Sequence, residues 1–119
     1  MGRLRQLNTN DIRHALRTDV AFIGVFPLDR LPRGVGKIKT IKLVANLQPA
    51  NLPGSHWVAI YRCGGKGYYF DTFGEIPPHE IQCWLAANTL TWDYNRRIVQ
   101  SKSDDASCGY ICIYFLKKL

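Results

Sequence analysis

The sequence predicts one small domain that mixes α-helices with β-strands. Three observations predict it. The 119 residues suit a single domain, placed here over residues 1–119. The last segment repeats apolar residues at helical spacing. Several earlier runs are short, apolar and bounded by Gly or Pro, as strands are. At 46% hydrophobic and 12% aromatic, the chain can build a core without disulfides, which excludes a disordered polypeptide. No stretch approaches the roughly 18 uninterrupted apolar residues of a membrane span. No apolar run follows Met1-Gly2-Arg3-Leu4-Arg5, so a secretory signal is not expected either.

The elements follow in order. Asn8-Thr9-Asn10 offers N-caps for a helix at about 10–18, with Ile12, Ala15 and Leu16 on one face. Val20–Phe26 is a dense apolar run stopped by Pro27, which predicts a buried strand. Residues 27–36 hold two prolines and two glycines and read as loop. Lys37–Leu47 mixes Ile38, Ile41, Leu43 and Val44 with lysines and predicts a partly exposed strand. Residues 48–55, with Pro49, Pro53 and Gly54, form a second loop.

His56–Arg62 is apolar on both faces, as a central strand covered on both sides would be. Gly64-Gly65-Lys66-Gly67 predicts a four-residue hairpin turn, with Tyr68–Asp71 returning as the partner strand. Pro77-Pro78 before Ile81, Trp84 and Leu85 marks a helix start. Arg97–Gln100 predicts a short strand. The final segment is the clearest helix. Ser107 can cap it, Asp104 and Asp105 sit near its positive end, and Cys108, Ile111, Cys112, Phe115 and Leu119 form one stripe.

The formal net charge is +7, and it is uneven. Residues 1–42 hold nine bases (Arg3, Arg5, Arg13, Arg17, Arg30, Arg33, Lys37, Lys39, Lys42) against Asp11, Asp19 and Asp29. Such a segment attracts a polyanion, so DNA is a candidate partner through residues 1–42; a solubilising charged face is the alternative. The four cysteines do not suggest zinc, because only Cys108 and Cys112 are close and no His lies beside them. No metal site and no required cofactor is expected.

Cys108 opens a helix and is followed by Gly109, where free amides and the macrodipole favour a thiolate. A thiolate nucleophile needs a base and a group that orients the base. His56 lies at the mouth of a strand, and Asp71 ends the partner strand at the same sheet edge. A four-residue loop would set Asp71 opposite Ile60, about 13 Å of strand away from His56. A bulge, a longer loop or twist is then required to join them. The amide of Gln100 and the Cys108 backbone N–H could together receive an oxyanion.

These residues carry a family resemblance. His56-Trp57, then Tyr69-Phe70-Asp71-Thr72-Phe73-Gly74, then Val99-Gln100, then Ser107-Cys108-Gly109-Tyr110-Ile111-Cys112 resembles the adenovirus-protease (adenain-like) cysteine endopeptidases, related to SUMO-deconjugating proteases. Phe22-Ile23-Gly24-Val25-Phe26 with Pro32 resembles their N-terminal part. The resemblance implies an α+β fold, a mixed β-sheet packed against the helix that carries the nucleophilic Cys. As the chain ends soon after Cys108, this would be a minimal or C-terminally short version. The resemblance implies His56 as general base, Asp71 as its orienting group, Gln100 as oxyanion donor and Cys108 as nucleophile. It further implies a viral or Maverick/Polinton-like source. Precursor proteins would be cleaved near small residues or glycine during virion maturation, in the host nucleus or cytoplasm or in the virion. Adenovirus relatives are activated by DNA or a peptide, so either is an expected activator by resemblance.

Other residues have plainer readings. Cys112 reads as core; Cys63 and Cys83 read as bystanders. His14 and His79 read as surface helix residues, without a cysteine at motif spacing. Trp57 either packs in the core or shields the imidazole, and Trp84 and Trp92 read as core. Two functional alternatives remain: an isopeptidase that removes a ubiquitin-like modifier, and an inactive basic virion protein associated with nucleic acid.

Overall fold

A computed structural model describes residues 5–48, 56–100 and 107–119. Asn8 caps the first helix, α1 (Thr9–Ala15), in a reciprocal capping box with Asp11. Ile12 is the residue this helix buries, and Leu16, its C-cap, is buried beside it. Strands β1 (Phe22–Pro27), β2 (Thr40–Asn46), β3 (Trp57–Cys63) and β4 (Lys66–Phe70) follow. Helix α2 (His79–Asn88), strand β5 (Thr91–Tyr94) and helix α3 (Ser107–Lys117) complete the described chain. The five strands lie in chain order across one sheet. The inner pairs β2–β3 and β3–β4 are antiparallel, whereas the outer pairs β1–β2 and β4–β5 are parallel. The fold is therefore α+β with a mixed sheet.

Side-chain alternation along the strands builds two cores. Val44, Trp57, Ala59 and Phe70 face α1 and α3, where they meet Ile12, Leu16, Cys108, Cys112 and Leu116. Ile41, Leu43, Ala45, Val58, Ile60 and Tyr69 face α2 and the β1–β2 connection. With both faces covered, β3 reads apolar at successive positions, as a central strand does.

Several boundaries differ from expectation, each for a physical reason. The first strand is an edge strand that begins at Phe22; Val20 is fully exposed and Val25 alone is buried within β1. The second strand is buried from Ile41 onward, lysine included, because Lys42 Nζ reaches Asp19 Oδ2 at 2.7 Å. Arg97–Gln100 is not a strand: the Val99 N–H donates to the Thr72 carbonyl at 2.7 Å. The strand is instead Thr91–Tyr94, whose half-buried residues show too little contrast to be read from sequence. On α3 the buried residues are Cys108, Gly109, Cys112 and Leu116, so the stripe turns away from Leu119, which is exposed. The expectations for Arg3, for the 49–55 part of the second loop and for Asp104 and Asp105 lie outside the described residues. Among the described residues, no helix is long and apolar enough to cross a membrane.

The hairpin matters most. Cys63 pairs with Lys66, so the turn contains two residues, not four. Gly64 has φ of +59°, the sign a type II′ turn needs at its first central position. The shorter turn pairs Phe70 with Ala59 and moves Asp71 two residues along β3 toward His56.

The Lys42–Asp19 pair gives a test of the sheet. Burial raises the Asp19 carboxyl, but the Lys42 and Ala21 hydrogen bonds hold it below its ordinary 3.8. Its contribution is present above that ordinary value and lost as pH falls through the lower folded value. Lys42→Ala should lower unfolding stability by about 1–2 kcal/mol at neutral pH in urea titration, since Asp19 is partly screened by solvent. The difference from the parent should shrink in acid.

Candidate active site

Three elements converge at one end of the sheet. His56 precedes β3, Asp71 follows β4 and Cys108 stands in the first turn of α3. The His56 Nε2–H donates to Asp71 Oδ1 at 2.6 Å. Cys108 stands near enough to the ring to strengthen its hold on a proton. With Nε2 engaged by Asp71, Nδ1 is the nitrogen that remains for the sulfur.

Asp71 is buried, and a buried carboxylate is costly unless hydrogen bonds replace its water. The Phe73 N–H donates to Oδ1 at 3.1 Å and the Glu75 N–H to Oδ2 at 3.2 Å. The Phe73 ring stacks on His56 at 4.9 Å between centroids and 18° between planes. The aromatic cover on the imidazole is thus Phe73. Trp57 packs in the core and donates its indole N–H to the Leu7 carbonyl at 3.1 Å.

Burial pushes the His56 imidazole down, but the Asp71 and Cys108 hydrogen bonds and their charges outweigh it and push it up to about 9. The folded value exceeds the ordinary 6.5. The interaction therefore stabilises the fold fully below 6.5 and is lost as pH rises through about 9.

Gln100 lies in a loop, not at the end of a strand, and is buried. The Thr72 hydroxyl donates to its Oε1. Thr72 directly follows Asp71, so one short segment holds both the acid and the glutamine. Sequence reading did not single out Thr72, Phe73 or Asn95. Asn95 grips the backbone of Asp71: its Oδ1 accepts from the Asp71 N–H at 3.0 Å, and its Nδ2 donates to the Asp71 carbonyl at 2.6 Å. Thr72 and Phe73 lie within the motif around Asp71 but carried no assigned role, and no motif marks Asn95, because these roles depend on which loops touch.

The other cysteines separate clearly. Cys112 is fully buried and its thiol donates to the Trp57 carbonyl at 3.4 Å. Burial, reinforced by Cys108 and Asp71, pushes that thiol up and keeps it protonated. Cys63 is exposed at the far end of β3, where hydrogen bonds from Thr40 and Tyr61 hold its thiol below the ordinary value. Cys83 Sγ lies 3.4 Å from His79 Nε2, a contact not anticipated from the sequence; both are exposed on α2. Among the described residues, no group of three His, Cys, Asp or Glu side chains could hold a metal ion.

Gly109 lets α3 come close. A Cβ there would stand 3.2 Å from both Leu7 Cδ1 and Trp57 Cδ1. A side chain there would press on Leu7 and Trp57, which would have to give by a few tenths of an ångström for α3 to keep its place against β3.

This mixed-sheet α+β fold is shared with a viral protease. A crystal structure of the ASFV pS273R protease matches 99% of this chain at 16% identity and a TM-score of 0.53, over 59% of that protein. Its selenomethionine form matches 66% of this chain at 22% identity and a TM-score of 0.50, over 34% of that protein. The chain thus spans less than two thirds of these neighbours. No family model and no curated protein matches it.

Gly109→Ala should destabilise the protein by about 1–3 kcal/mol in thermal or urea unfolding. It should also slow alkylation of Cys108 by chloroacetamide relative to wild type.

Proposed function

We propose that this chain is a cysteine endopeptidase that uses Cys108 as nucleophile, His56 as acid and base, Asp71 as orienting group and Gln100 as oxyanion donor. The observation that carries the reading is the 2.6 Å contact of His56 with the buried Asp71 carboxylate, with Cys108 near enough to the ring to strengthen its hold on a proton. The sulfur, paired with imidazolium, attacks the scissile carbonyl carbon and the carbonyl π electrons move to oxygen. The Gln100 amide and the Cys108 N–H receive that oxyanion. The intermediate collapses to a thioester as His56 protonates the departing amine. His56 then takes a proton from water, which attacks the thioester and releases acid and thiolate.

The natural substrate in this reading is a viral precursor protein cut beside a small residue or glycine. The shared fold with the ASFV pS273R protease supports a protease at the coarse level. An isopeptidase would use the same machinery, and a glycine-ended ubiquitin-like modifier against a precursor polypeptide separates the two.

The basic segment supports a narrower polyanion role. Arg5 pairs with Asp11, and Lys42 is buried against Asp19. Arg30, Arg33, Lys37 and Lys39 are exposed on the β1–β2 connection, which packs on the α2 side. Arg13 on α1 and Arg17 in the turn after it are exposed, across the sheet. DNA would meet the β1–β2 connection, and its affinity should fall with salt. A flat salt profile rejects this role.

A peptide-based thiol probe tests the chemistry. It should label wild type and Cys112→Ala but not Cys108→Ala, and His56→Ala should slow labelling by at least about a hundredfold. Labelling that survives Cys108→Ala overturns the reading. Peptide hydrolysis should also decline as pH rises through about 9, where His56 loses the proton it gives to the leaving amine.

A further inference from the structure

We propose that Asn95 is a positioning residue: its carboxamide clamps the Asp71 backbone and thereby joins the loop of the triad acid to the loop of Gln100. The inference rests on the active-site reading above and assigns a role to a residue outside it.

The parallel β4–β5 ladder ends where Tyr69 pairs with Tyr94. One residue later, the Asn95 side chain takes the place of a strand. Its Oδ1 and Nδ2 satisfy both backbone groups of Asp71, and Nδ2 also donates to the Arg97 carbonyl at 2.9 Å. Only a primary amide offers an acceptor and two donors in this arrangement, and glutamine is one methylene longer.

The chain then reverses through Arg96, whose φ of +57° is seldom adopted outside Gly, Asn and Asp. Beyond it, the Arg97 backbone lies against Gly74, where a Cβ would come within 2.7 Å of it. Gly74 itself has φ of +67°. The Val99 N–H reaches the Thr72 carbonyl, and the Thr72 hydroxyl reaches Gln100. Residues 71–75 and 95–100 are thus fastened at three places, and Asn95 is the fastening nearest the carboxylate.

That carboxylate accepts from His56, Phe73 and Glu75 together, which requires one backbone orientation at Asp71. A shift of about 1 Å at such a residue breaks its hydrogen bond to the base and misplaces reacting groups. The groups facing His56 are Asp71 from the end of β4, Cys108 from α3 and the Phe73 ring.

Three readouts test the role: imidazole NMR titration of His56, the rate of Cys108 alkylation by chloroacetamide, and kcat and KM on a reporter peptide. Asn95→Ala should shift the His56 titration from about 9 toward 6.5 and slow alkylation about tenfold or more. It should lower kcat about tenfold to a hundredfold with KM within about twofold. Asn95→Asp keeps the acceptor, loses the donor and adds a negative charge. It should shift the His56 titration up while alkylation still slows. Ile81→Val, a mild core change beneath α2, should leave the His56 titration and the alkylation rate unaltered.

Wild-type titration and alkylation in folded Asn95→Ala would overturn the proposal, as would an Ile81→Val variant that reproduces its shifts. Should Asn95→Ala fail to fold, an unchanged alkylation rate in Asn95→Asp overturns it. If wild type cleaves no peptide while titration and alkylation respond to Asn95, the endopeptidase reading fails and the positioning role stands.

Discussion

The register of β3 against β4 is the constraint on which the rest of the site depends. It is set by a two-residue turn at the far end of the hairpin, where Gly64 supplies a positive φ. Side chains alternate along a strand, so a register slip of one residue would exchange the two cores. With the observed turn, Tyr69 faces α2 and Phe70 faces α3. The same register carries Asp71 past the end of β4 to the side of His56. The distance between turn and site is the length of the strands, and their hydrogen bonds transmit the geometry without a direct contact.

Burial then makes the contact between His56 and Asp71 strong. Away from water, charges interact more strongly and cost more to leave unpaired. Asp71 meets that cost with amide donors from its own following turn and with the imidazole. The imidazole in turn holds its proton to about pH 9 although burial alone opposes it. Cys108 reaches this pair because Gly109 lets α3 settle against Trp57 and Leu7. The hairpin places Asp71 beside His56, and the close approach of the helix places the Cys108 sulfur.

The candidate site residues could be picked out in the sequence because few side chains can perform each proposed role, and their order along the chain narrows the choice further. The helix stripe of α3 and the two-faced apolar pattern of β3 were legible because periodicity records burial. The outer strands were less so. Edge strand β1 carries apolar residues that are only half-buried, and β5 alternates exposed with half-buried residues, so neither pattern matches its depth in the fold. Lys42 suggested exposure because lysines are seldom buried, and only its pairing with Asp19 makes the buried position tenable. The roles of Asn95, Thr72 and Phe73 left no signal, since an amide, a hydroxyl or a ring acquires meaning from what it touches.

By itself, the sequence determined the elements with strong periodicity, the cysteine at a helix start and the candidate partners His56, Asp71 and Gln100. These are local properties: hydrophobic spacing, capping chemistry and the donor or acceptor character of single side chains. Only the tertiary structure decided that the hairpin turn has two residues, that Phe73 rather than Trp57 covers the imidazole, and that Asn95 binds the two site loops. Each depends on the relative placement of distant segments to within about an ångström, because hydrogen bonds and stacking fail beyond that tolerance. Local patterns carry no information at that precision, whereas a packed fold has to satisfy it.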